Sequence, residues 1–346
     1  MKVKKKVLSL GLMVTILVSN YIVVSNAMEL KNIEKIVGKN RYETAALIAD
    51  KQNYTTAILV NSDKSIADGL SASGLAGSEN APILLTQKDN IPDETLQRLN
   101  RVTKLYIVGG EDSINKDVEQ TLTMRRMEVK RISGNDRIET SYNVAKEINS
   151  VNKVKNIILT NAYKGEADSM SVASVAVRDK MPIILTNGDK IPFNTDGLKT
   201  YIVGGKSSMS DTLVNETKSI RISGVDRFKT NKEVIKYFYK DVKECYITKA
   251  YTLIDALTGS TIAKNKPIVL ADEVSDKSVL KGMDKFDVIG GVNNTTINKC
   301  LNVLNGEEKE TPHFEHNDNS GIQNDNGNEG QYVEMEGEWG DIVADM

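Results

Sequence analysis

The sequence predicts an α/β protein built from three tandem copies of one parallel-sheet unit, and three observations carry this. RISGNDRIETSYNVAKEI, from Arg131 to Ile148, returns as RISGVDRFKTNKEVIKYF from Arg221 to Phe238. A diverged copy, KIVGKNRYETAALIADK, begins at Lys35. Repetition at a long, regular spacing marks one structural unit used several times. In every copy, short apolar runs also alternate with helix-like segments, the pattern of βαβ units. Finally, runs such as MPIILT, from Met181, are apolar without alternation, which suits strands covered on both faces.

The ends differ from the repeats. MKVKKKVLSLGLMVTILVSNYIVVSNA carries four lysines, then an apolar run closing on Ser25-Asn26-Ala27. This reads as a secretory signal peptide over residues 1–27, with a retained single helix as the alternative. No Cys follows the run, so a lipid-linked terminus is not expected. From Asn305 to Met346 the chain holds 8 Glu and 4 Asp against one Lys. Such a segment buries too little apolar surface to offset its ordering entropy and is expected to be disordered. Residues 28–304 keep 40 basic and 35 acidic side chains, a net +5. That mild excess favours anionic partners but lacks the dense basic stripe of a nucleic-acid binder.

The expected repeats are 28–126, 127–217 and 218–304, and each runs through the same elements. A loop glycine comes first (Gly38, Gly134, Gly224), followed after a helix by AILV from Ala57, NIILT from Asn156 and CYIT from Cys245. The triplets ADG (67–69), ADS (167–169) and IDA (254–256) then open stretches rich in Ala and Ser. APILLT from Ala81, MPIILT from Met181 and KPIVLA from Lys266 predict a further strand each. YIVGG from Tyr106, YIVGG from Tyr201 and DVIGG from Asp287 end the pattern. Three such units could form a row or a closed pseudo-threefold cluster, and the spacing leaves that choice open.

Asn40, Asp136 and Asp226 fit helix N-caps, with Glu43 and Glu139 placed to reach back; Lys229 breaks that pattern in the third copy. Arg41, Arg137 and Arg227 fall in the first helical turn, where the helix dipole disfavours a cation. Either a carboxylate compensates each one, even across the boundary between units, or the guanidinium is held out for an anionic ligand. Asp68, Asp168 and Asp255 are read as helix caps or as ion-pair partners of those arginines, ahead of a catalytic role. Gly109-Gly110, Gly204-Gly205 and Gly290-Gly291 read as tight turns. Asn115, Ser210 and Thr296 are placed as caps of the helices that follow. A phosphate cradle is the lesser reading, since neither GxGxxG nor a phosphate-loop lysine is present.

Taken together, G-x-[ND]-R-x-x-T, the Asp turn, the P-I-[LIV]-L strand and the closing V/I-G-G resemble the cell wall binding repeat 2 family of clostridia and relatives. The resemblance spans Met28 to about Leu304. It implies three Rossmann-like or flavodoxin-like repeats packed as a pseudo-threefold trimer within one chain. It also implies a non-catalytic module that anchors exported proteins to an anionic secondary polymer of the Gram-positive wall. The family's attachment motif maps to Ile83, Leu84 and Leu85, to Ile183, Ile184 and Leu185, and to Ile268, Val269 and Leu270, each after a proline. Physically these read as buried strands whose mutation unfolds the unit.

A wall hydrolase is the rival reading. The only histidines, His313 and His316, lie in the acidic tail, so the body cannot assemble a His-rich zinc site or a His-based nucleophile. The body keeps enough carboxylates for a glycosidase pair, but Trp339, the sole Trp, lies outside it. Cys245 and Cys300 are expected as buried free thiols, with a disulfide permitted in an exported protein. The sequence thus predicts a secreted wall protein without enzymatic activity, cofactor or bound metal. Its expected partner is an anionic wall glycopolymer, with no nucleic acid and no membrane span after cleavage. The alternative makes the tail the working part and the body its tether.

Overall fold

The computed structural model describes residues 28–63 and 66–307. The expected leader, His313, His316, Trp339 and nearly all of the expected tail lie outside them. In chain order the elements are β1 (Lys35–Ile36), α1 (Arg41–Asp50), β2 (Thr56–Asn61), α2 (Ala72–Glu79), β3 (Ile83–Thr86), α3 (Asp93–Leu99), β4 (Lys104–Val108) and α4 (Lys116–Thr123). There follow β5 (Glu128–Ile132), α5 (Arg137–Val151), β6 (Asn156–Asn161), α6 (Glu166–Asp179), β7 (Ile183–Thr186), β8 (Lys199–Val203), α7 (Asp211–Glu216) and β9 (Ile220–Ile222). The last are α8 (Arg227–Phe238), β10 (Glu244–Lys249), α9 (Ile254–Gly259), β11 (Ile268–Ala271), β12 (Lys285–Ile289) and α10 (Asn294–Leu304).

The strands form three four-stranded parallel sheets, ordered β3-β2-β4-β5, β7-β6-β8-β9 and β11-β10-β12-β1. The fourth strand of each sheet comes from the phrase that opens the next repeat. For the third sheet the next repeat is the first, so β1 crosses the molecule to pair with β12, Lys35 opposite Val288 and Ile36 opposite Ile289. This clasp closes the three units into a ring. Val288 N–H donates to the Glu34 carbonyl (2.8 Å) and Gly290 N–H to that of Ile36 (2.9 Å). Met28 and Asn305 exchange two further bonds of 3.0 Å, and Ile36, Ile48 and Ile289 form a small apolar cluster under the seam.

The proline-led strands β3, β7 and β11 are sheet edges, where proline is tolerated because the first residue need not donate to a neighbour. Their outward backbone groups are satisfied by buried polar side chains rather than left open. Ser141 Oγ accepts from Leu185 N–H at 2.9 Å. Asn231 donates to the Ile268 carbonyl and accepts from Leu270 N–H, both at 3.0 Å. In the first unit Ala45 stands at the equivalent position, and Thr95 Oγ1 instead donates to the Leu85 carbonyl at 2.6 Å.

The Ala/Ser-rich helices gather at the centre. α6 packs on both α2 and α9, and every residue from Ser169 to Val177 is buried. A helix without a polar face belongs in a core; small side chains are what allow such close approach. A Cβ on Gly77 would collide with the Val177 backbone across the α2–α6 contact. The principal apolar cluster runs through all three units. Cys245 and Cys300 are buried and form no disulfide. Among the described residues no helix is long and apolar enough to cross a membrane.

Candidate functional site

The repeated motif resolves into one local device, built three times. Asn40, Asp136 and Asp226 cap α1, α5 and α8 by accepting from the N–H three residues on, at 2.8, 2.8 and 2.7 Å. Thr44, Thr140 and Thr230 accept, at 3.0 Å each, from the N–H of Gly38, Gly134 and Gly224. That contact presses the glycine onto the helix start: a Cβ at Gly38 or Gly134 would lie 2.5 Å from the Cβ of Glu43 or Glu139. Glu43 and Glu139 reach back to the N–H of Lys39 and Asn135, one residue before the cap. In the third copy Lys229 instead pairs with Asp276, whose carboxyl is held far below the ordinary range: burial opposes ionisation, but Lys229 and Ser278 outweigh it.

The structure places each repeated arginine between two units. Arg41, Arg137 and Arg227 donate from a guanidinium nitrogen to the carbonyls of Ser62, Ala162 (3.1 Å) and Ala250 (3.0 Å), just beyond β2, β6 and β10 of their own unit. Across the boundary each faces the aspartate of the preceding unit. Arg137 faces Asp68, Arg227 faces Asp168, and Arg41 faces Asp255 through the closure of the ring. The threonine three residues after the arginine completes the contact in two seams, Thr140 donating to Asp68 and Thr230 to Asp168.

None of the three aspartates occupies an N-cap position. Asp68 opens a 3-10 turn (Asp68–Ser71), while Asp168 is the third residue of α6 and Asp255 the second of α9. Burial raises all three carboxyls, Asp168 to about 6, against the pull of the facing cations. The first glycine of each closing pair rests on the same carboxylate with φ of +124°, +139° and +76° at Gly109, Gly204 and Gly290. Two of these turns are already occupied, since Arg131 and Arg221 donate to the Gly109 (2.8 Å) and Gly204 (2.9 Å) carbonyls. Asn115 and Ser210 cap the helices that follow. In the third unit the cap is Asn293, not Thr296, which donates to it.

The attachment-motif residues lie elsewhere. Ile83, Leu84, Leu85, Ile183, Ile184, Leu185, Ile268, Val269 and Leu270 are all at most 2% exposed. Sequence reasoning missed three residues beside the arginines. Tyr163 and Tyr251 are 60% and 53% exposed, and their rings lie 5.3 and 4.3 Å from the guanidinium carbons of Arg137 and Arg227. Lys249 stands where the other units have Asn61 and Asn161. Aligning the strand ends NSD (61–63), NAY (161–163) and KAY (249–251) would have brought them out. No grouping of three or more metal-ligating side chains occurs among the described residues.

A family model for cell wall binding domain 2 matches residues 35–119, 131–214 and 221–299. The N-acetylmuramoyl-L-alanine amidase LytC of Bacillus subtilis is 29% identical over 82% of this chain and 61% of its own length. The amidase enhancer of the same organism is 33% identical over 74% and 38%. Two solved structures from Clostridium difficile superpose well. Cwp6 gives a TM-score of 0.73 at 31% identity, covering 78% of this chain and 47% of that one. Cwp8 gives 0.72 at 32%, covering 81% and 53%. The chain therefore spans about 40 to 60% of these relatives.

Proposed function

The chain belongs to the cell wall binding domain 2 family and is a protein of the cell wall or cell surface; from that premise we propose that it binds an anionic wall polymer non-covalently and breaks no bond. The supporting observation is the threefold repetition of one cation-bearing seam at the carboxyl ends of parallel strands, where open α/β sheets bind ligands. Each guanidinium donates to a carbonyl of its own unit, and the planar fork of an arginine matches the geometry of acidic groups. Three modest sites on one rigid body gain effective concentration along a polymer. The buried P-I-[LIV]-L residues serve this function by holding the sheet edges. The likeness to an amidase covers part of that protein, and its catalysis is not carried over.

Incubating the protein with purified wall fractions, before and after removal of the non-peptidoglycan glycan, tests the reading. Retention is expected on polymer-bearing walls only and should fall as salt screens the contacts. Equal retention on stripped walls would overturn it. The acidic stretch 305–346 supports a second reading in which the body tethers a working tail; deleting it should then spare wall retention and abolish a partner interaction.

A further inference from the structure

The three units differ where their central strands end. In the first, Asn61 Nδ2 donates to the Ser113 carbonyl and Oδ1 accepts from Asp63 N–H. In the second, Asn161 ties more of the surroundings together. Its Nδ2 donates to the carbonyls of Asn187 (3.0 Å) and Ser208 (2.7 Å), while Oδ1 accepts from Tyr163 (2.9 Å) and Lys164 (2.8 Å) N–H. Each asparagine thus ties together the loops at the carboxyl edge of its sheet. The third unit has Lys249 there, which offers no acceptor and cannot make the same ties. A cleft of about 300 Å³ lies beside it, lined by Lys249, Tyr251, Asp272, Glu273, Val274 and Asn293 among others.

The chemistry of this cleft is specific. Tyr251 forms one wall, 53% exposed, its ring set by the Arg227 guanidinium at 4.3 Å and by Phe228 edge-on at 6.2 Å. A pre-set aromatic wall gives a ligand a large, rigid contact area at low entropic cost. The acidic groups at the rim are engaged: Asp272 accepts from Val274 (2.9 Å) and Ser275 (2.7 Å) N–H, and Glu273 accepts from Asn293 (3.0 Å). Two cations, Lys249 and Arg41, face the single buried carboxylate of Asp255, whereas Asp68 and Asp168 each face one arginine. The cleft therefore sets one ammonium, Lys249, beside an aromatic wall, with the Asp272 and Glu273 carboxylates tied to N–H donors on the rim.

We infer that this cleft is a subsite for one sugar ring bearing an acidic group, the ring lying on Tyr251 and the acid meeting Lys249. A volume at the lower end of the range for small-molecule sites suits a single ring. The assignment of a saccharide rests on the wall-polymer reading above; the cleft, its tyrosine and its lysine do not.

The test titrates the full-length chain with glucose 6-phosphate, glucuronate and glucose, followed by saturation-transfer NMR, with wall retention measured on the same preparation. The acidic sugars are expected to bind and glucose to bind at least about fivefold more weakly; the two acidic arms separate a phosphate ester from a carboxylate as the preferred group. Tyr251→Ala should weaken binding roughly five- to tenfold, the scale of one aromatic contact. Lys249→Asn, which installs the residue of the other units, should remove the preference for acidic sugars, and Tyr163→Ala should change nothing. Unchanged affinity in both third-unit variants at unchanged melting temperature overturns the subsite. So does the absence of transfer to all three sugars. If walls still retain the protein in those cases, the subsite has failed and the wall reading stands; sugar binding without wall retention gives the reverse.

Discussion

Asp168 shows how tightly a single residue is held in these seams. Burial raises its carboxyl to about 6 from an ordinary value near 3.8, more than Arg227 and the Thr230 hydroxyl pull it down. The folded protein thus binds this proton more tightly than the unfolded chain. Stability from this group is full below about pH 4 and falls as pH rises to about 6, and the loss is complete above that. Its ceiling is roughly 3 kcal/mol. Asp168→Asn is expected to remove this slope, measured as the wild-type-minus-variant difference in denaturant midpoints between about pH 4 and 7; a flat difference would contradict it. Gly134→Ala meets a harder limit, because its Cβ would lie 2.5 Å from that of Glu139. A loss of about 1–3 kcal/mol is expected, the scale of core overpacking. Arg137→Glu would set a carboxylate against Asp68, so its melting temperature should fall together with wall retention, whereas Arg137→Lys should keep the fold and lose bidentate geometry. A melting temperature unmoved by Arg137→Glu would argue against the Asp68 contact.

Among the elements, the proline-led edge strands separate two explanations of the attachment motif. Leu84 is fully buried, so Leu84→Ala should cost about 2–5 kcal/mol through the cavity it leaves. If the strand acts through the core, wall retention at a temperature where the variant is still folded should match the wild type. Reduced retention by a fully folded variant would return the strand to polymer contact. The strands and most caps were readable in the sequence, because apolar runs and Asn, Asp or Ser before a helix are local signals. Thr296 was misplaced as a cap because Asn293, three residues earlier, offers the same chemistry. The cap positions read for Asp68, Asp168 and Asp255 followed the same local logic, whereas their actual surroundings come from another unit.

At the scale of the molecule, the clasp between β1 and β12 decides whether three units make a row or a ring. Ile36 is 4% exposed and packs with Ile48 and Ile289. Ile36→Ala should cost about 2–4 kcal/mol. It should also speed hydrogen exchange selectively at Val288 and Gly290, whose N–H groups donate to β1 and the residue before it. Exchange unchanged there would mean the ring does not depend on its clasp. The sequence by itself determined the repeating α/β unit, its strands and most of its caps, because these follow from periodicity and from side chains acting within a few residues. It also exposed the arginine–aspartate recurrence without saying which aspartate meets which arginine. Only the tertiary structure decided that each seam joins neighbouring repeats, that the first strand completes the last sheet, and that Lys249 and Tyr251 border one cleft. Those outcomes depend on contacts such as Met28 with Asn305, 277 positions apart, and no local pattern encodes which distant backbone edge a strand will meet.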